Sequence, residues 1–206
     1  MKCPRLLTAI TAILLSTSAS AQLGLKFPAL KTSSSALPMS SAFRSDIQKV
    51  VEQYPQHYAQ IRGEVINKNP QTVEYLSTVK PDGAQDATIM KYSAEGKEVV
   101  TWQSTMLVTE DYEKAAQKYK WLYQQLKGMN IKYVADMYTL RGPYAEPDES
   151  IGFATSVLTP AHPPVPLAKL KVEVQLNFEF PEWKVSLLIY DKEREDEEQG
   201  HVIEGR

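Results

Sequence analysis

The side chains best suited to proton transfer or metal binding in this chain are its three histidines, His57, His162 and His201. They lie far apart, and nothing around them has the spacing that supplies a zinc site with its three or four ligands. No metal or other cofactor is therefore expected. Nucleophilic catalysis has no better support. No serine stands in a Gly-x-Ser-x-Gly elbow, and the one cysteine, Cys3, precedes an apolar run at the N-terminus. Gly-rich phosphate loops are missing as well. What remains for an enzyme is a set of carboxylates assembled from distant segments, with His57, Asp136 and Asp148 as first choices for a hydrolase. The segment YAEPDES, 144–150, gathers Glu146, Asp148 and Glu149, whose oxygens suit a hard cation such as calcium. Their spacing is not that of a calcium loop, so a solvated acidic turn is expected.

Recognition of another molecule has firmer candidates. TPAHPPVPLAKL, 159–170, places Pro160, Pro163, Pro164 and Pro166 around His162. Prolines at that density favour an extended polyproline II path, which docks on a partner at little entropic cost and serves equally as a stiff crossover between strands. Trp121 falls off the apolar stripe of its helix and is a second candidate for a partner interface. Tyr54, Tyr58, Tyr119 and Tyr123 share their stripes with Val50 and Ala115, which points to burial with hydroxyls at the rim rather than to a stacking platform. A small-ligand or lipid carrier is the alternative, with an apolar cleft lined by Trp102, Phe178, Phe180 and Trp183.

These residues need a scaffold, and the sequence describes one twice. DIQKVVEQYPQHYAQIRG, 46–63, and DYEKAAQKYKWLYQQLKG, 111–128, each place apolar residues at three- and four-residue spacing, open on an acid and close on a glycine suited to a left-handed cap. Thr109 is the expected N-cap of the second helix, and Pro55 should kink or restart the first. Three strand-like runs follow the first helix and four follow the second. The clearest alternates Leu170, Val172, Val174, Leu176, Phe178 and Phe180 with polar residues, and Trp183, Val185, Leu187 and Ile189 repeat the pattern. The expected fold is α+β: two helix-plus-three-strand repeats, the second with an extra strand, forming one largely antiparallel sheet packed against two helices. The order of elements is similar to that of bacterial secretion chaperones, whose paired α+β halves bind extended partner segments.

The N-terminus carries Lys2 and Arg5, an apolar run from Leu6 to Leu15, and the small-residue site Ala19-Ser20-Ala21, the plan of a secretory signal peptide cleaved after Ala21. Export to a periplasm or the cell exterior follows. Residues 22–42 then read as a flexible tether, 43–191 as one domain with halves 43–108 and 109–191, and 192–206 as a charged tail. A formal charge of −2 gives no footprint for nucleic acid, and no later run is long and apolar enough to span a bilayer. The chemistry that is missing favours a non-enzymatic interaction or chaperone-like module, with a protein partner or a small ligand as its target.

Overall fold

The computed structural model describes residues 41–94 and 97–191. The expected signal peptide, most of the tether, the charged tail and His201 lie outside them. Helix α1 spans Ser41–Gln53 and buries Phe43, Ile47, Val50 and Val51 on one stripe. It takes in the last two residues of the expected tether and starts without an acid in its first turn, so Asp46 is not an N-terminal charge as the sequence reading had it. Pro55 ends this helix rather than bending it. Its ring nitrogen has no proton for the helical ladder, and the chain tightens into a 3-10 turn at Tyr54–Gln56. His57 and Tyr58 follow in left-handed conformation, φ 51° and 61°, before a second 3-10 turn at Ala59–Ile61. The Tyr58 amide donates to the Gln53 carbonyl at 2.8 Å, which fixes the reversal.

Gly63 is consequently no helix cap. It sits in the first strand, where an added Cβ would stand 3.0 Å from the Leu76 carbonyl oxygen. The second helix, α2, spans Tyr112–Leu126 and is capped by Asp111, whose carboxylate accepts from the Lys114 amide at 3.1 Å. Thr109, the expected cap, stands two residues outside and accepts from the Asp111 amide at 3.2 Å. Gly128 closes α2 as expected, at φ +74°.

The strands are β1 (Arg62–Lys68), β2 (Thr72–Ser77), β3 (Asp86–Ala94) and β4 (Lys97–Thr109) after α1. After α2 come β5 (Asn130–Tyr133), β6 (Asp136–Arg141), β7 (Phe153–Pro160), β8 (Leu170–Glu179) and β9 (Glu182–Asp191). They form one sheet in the order β1-β2-β3-β4-β9-β8-β7-β6-β5, with every neighbouring pair antiparallel. Four strands therefore follow the first helix and five the second, one more in each half than expected. The first two residues of β1, Arg62 and Gly63, belong to the expected first helix, and Val134 at φ 56° splits the run IKYVADMYTL, 131–140, expected as one strand, into β5 and β6.

Helix α2 packs on β4, β8 and β9, and α1 on β5. Trp102, Val172, Val174, Leu176, Val185, Leu187 and Ile189 meet Tyr119, Leu122 and Leu126 in a continuous core. Both sheet edges are blunted. Gln48 of α1 covers β5 by donating to the Lys132 carbonyl and accepting from the Lys132 amide, each at 2.8 Å. The β1 edge is interrupted by two register shifts and carries Arg62, Glu64 and Lys68, which discourages strand addition.

The stripe tyrosines are buried, as their position implied; the hydroxyls of Tyr58 and Tyr119 are bonded inside, whereas those of Tyr54 and Tyr123 are bonded where burial is only partial. Tyr58 donates to the Ile189 carbonyl at 2.7 Å, Tyr123 donates to the Gly142 carbonyl at 2.9 Å, and Tyr119 shares a 2.6 Å bond with Ser156. Burial pushes the phenols of Tyr58 and Tyr119 up, and burial with the nearby Glu146 charge carries Tyr144 to about 12. A raised phenol contributes stability that is complete below its unfolded pKa of about 10 and is lost as pH rises through its folded value. The denaturation midpoint should therefore stay level on the alkaline side up to about pH 10 and fall steeply toward pH 12, together with cooperative growth of tyrosinate absorbance. A midpoint that does not move across that interval would contradict the burial of these rings.

Candidate functional site

The three residues named for hydrolysis do not meet. His57 lines a cavity of about 250 Å³ with Tyr54, Tyr58, Glu98, Pro166 and Asp191. Asp136 lies across the β5–β6 turn from Tyr133, and Asp148 accepts from both the amide and the hydroxyl of Ser150, at 2.8 and 2.7 Å. In the His57 cavity the phenols and carboxylates are engaged with their neighbours. Tyr54 donates to Asp191 at 3.1 Å, Tyr58 reaches the backbone, and Lys91 hydrogen-bonds Glu98 and holds its carboxyl below the usual range. Among the described residues no three His, Cys, Asp or Glu side chains are placed to hold a metal ion. A buried carboxylate that the sequence gave no reason to single out, Glu173, sits on the sheet face away from the helices. It accepts from Thr155 and Gln175, each at 2.6 Å, and from Tyr190. With three donors on two oxygens it is a structural acceptor.

The partner candidates fall in two places. Trp121 packs its ring on Phe43 of α1 at 5.6 Å and lies under the Lys118 ammonium at 4.6 Å, so it joins the two helices rather than standing free. The proline segment is shorter as an extended path than expected. Pro160 is buried at the end of β7, where it pairs with Leu140 of β6, and Val165–Leu167 forms a 3-10 turn anchored by the buried Leu167. His162, at φ 51°, and Pro166 are exposed, Pro163 and Pro164 are half-buried, and Val165 is 90% exposed.

The expected apolar cleft is not formed by the residues named for it. Trp102 and Trp183 are core side chains, while Phe178 and Phe180 continue β8 beyond the helices. They stand at the tip of the β8–β9 hairpin, whose turn contains the cis Phe180–Pro181 peptide. Phe180 is 89% exposed and Phe178 44%. Their rings meet edge to face at 6.3 Å, and Phe178 rests on Trp183 at 4.9 Å, which in turn rests on Tyr112 of α2 at 4.9 Å. The tip is thus tied into the core through a ladder of rings. The loop before β7 abuts it, because the Phe178 amide donates to the Gly152 carbonyl at 2.8 Å. That contact brings Ile151, 70% exposed, alongside.

Acidic groups lie near this apolar tip. Glu179 and Glu182 flank the turn, and Glu146, Asp148 and Glu149 lie on the loop before β7, near Tyr112 at the foot of the ring ladder. After burial, the negative charges of Asp148, Glu149 and Glu146 are what hold the Tyr112 phenol up. A groove of about 210 Å³ next to the turn is lined by Asp86, Glu179, Glu182 and Lys184. Among the described residues, none of Glu146, Glu149, Glu179 and Glu182 is ion-paired.

No family model, curated protein or solved structure matches this chain. Among the described residues no helix is long and apolar enough to cross a membrane.

Proposed function

We propose that this is an exported, non-enzymatic protein-binding module of chaperone-like character that engages its partner through the aromatic tip of the β8–β9 hairpin. The exposure of Phe180, beside Phe178 and Ile151 on a support fastened to the core, carries the reading. Contiguous aromatic surface of this kind marks interaction sites, and rigid aromatic side chains dominate binding energy because they bury much area with little entropy to lose. Among the described residues His57, Asp136 and Asp148 do not converge, which favours binding over chemistry. The Pro160–Pro166 segment, with His162, is a second contact surface in this reading, at the opposite end of β7 from Phe153. We also read the halves 43–108 and 109–191 as a duplicated unit. Each helix is followed by strands that step inward to the central β4–β9 pair, which supports that view.

Affinity capture from the native envelope fraction tests the function. Phe180→Ser should reduce recovery of the specific partner about tenfold or more, the loss expected of a hot-spot aromatic, while the thermal midpoint stays close to that of the parent. Recovery that is unchanged by Phe180→Ser and by Phe178→Ser would remove the tip from the function.

A further inference from the structure

The charges around the tip specify what kind of segment it accepts, an inference that rests on the tip being the docking surface. Ile151, Phe178 and Phe180 supply the apolar contact, Glu179 and Glu182 flank it, and Glu146, Asp148 and Glu149 act on Tyr112 at the foot of the ring ladder. The adjoining groove places Asp86 with Glu179 and Glu182 against a single cation, Lys184. Asp86 is held in place there by the Thr105 amide, which donates to its carboxylate at 3.2 Å. Carboxylates flanking a patch of exposed aromatics repel an acidic ligand and any anionic lipid surface, and they steer a cationic one. We propose that the tip binds a polypeptide segment in which apolar residues alternate with lysine or arginine. Wrapping the turn, the segment packs an apolar side chain on Phe180 and sets a basic side chain in the Asp86–Glu179–Glu182 groove, which opens on the face of the hairpin opposite Phe178 and Trp183.

Model ligands decide the matter. A peptide of alternating leucine and lysine, its leucine–glutamate counterpart and phosphatidylglycerol vesicles are titrated against the full chain, against Phe180→Ser and against the double variant Glu179→Lys/Glu182→Lys. All the altered side chains are exposed, so thermal melts should match the parent. The leucine–lysine peptide should bind the parent, weaken about tenfold or more with either variant, and lose affinity as salt is raised. The leucine–glutamate peptide should bind at least about tenfold more weakly, and the vesicles should not bind. Equal binding of the two peptides, binding of the vesicles, or indifference of the lysine peptide to the charge reversal would overturn the proposal. Capture of the native partner separates this failure from that of the tip itself. Capture lost in Phe180→Ser but kept in the charge-reversed variant leaves the tip standing and removes the basic segment. Capture kept in both removes the tip.

Discussion

Gly142→Ala should leave a severely destabilised protein. An added Cβ would lie 2.0 Å from the Val157 carbonyl oxygen and 2.9 Å from the Leu158 Cα, both backbone atoms of β7. Neither can retreat, because Val157 and Leu158 are paired with Glu173 and Val172 of β8 in the middle of the sheet. The segment carrying Gly142 would have to move instead, and its carbonyl is the acceptor for the buried Tyr123 hydroxyl of α2. Overpacking against backbone together with a lost internal hydrogen bond should cost about 3 kcal/mol or more, a large share of the stability of any single domain. Gly128→Ala is the matching control. Its Cβ would meet nothing within 4 Å, so only the strain of φ +74° remains, about 1–2 kcal/mol. Urea denaturation of the two variants gives the comparison. Equal midpoints for both would mean that β6 and β7 do not approach each other as described.

Trp102→Ala should be nearly as damaging. Trp102 is fully buried in β4, facing Ile89 on one neighbouring strand and Ile189 on the other, and its indole N–H donates to the Ser77 hydroxyl at 3.0 Å. Truncation opens a cavity where the sheet is covered on one side by α2, with an expected loss of about 3–5 kcal/mol. Trp102→Phe should lose much less. The ring volume is largely kept, and Ser77 still exchanges bonds with the Val79 backbone at 2.8 and 3.2 Å. A Trp102→Ala variant within about 1 kcal/mol of the parent would place this side chain outside the core, against the packing that the fold requires.

Much of this core was legible in the sequence, because the helix stripes and the alternation in β8 and β9 are local patterns with one dominant period. The misreadings have local causes too. Val65 and Ile66 of β1 are exposed, 52% and 48%, so the strand lacks the one-sided pattern that marks a half-buried one, and the helical period before it runs on only as far as Gly63. Val134 turns the chain at a positive φ without glycine, asparagine or aspartate to announce it. Trp121 falls off the helical stripe, yet Phe43 arrives from a different helix to cover it, which no local period reports.

The exposure of the tip is illegible in the sequence for the opposite reason. Phe178 and Phe180 continue the alternation of Leu170 to Leu176 without a break, so the pattern counts them with the apolar face of the sheet, as lining of a cleft rather than as a free tip. Whether they are buried depends on where the helices stop covering the sheet. That is a property of the packed molecule, and it leaves the last two apolar positions of the series in solvent.

A photo-crosslinking residue placed at position 180, with position 165 as the comparison, probes the tip in the native envelope. Phe180 and Val165 are almost equally exposed, 89% and 90%, so accessibility alone cannot favour either. The tip reading expects a discrete adduct from position 180, and it is contradicted if the adduct forms from position 165 alone.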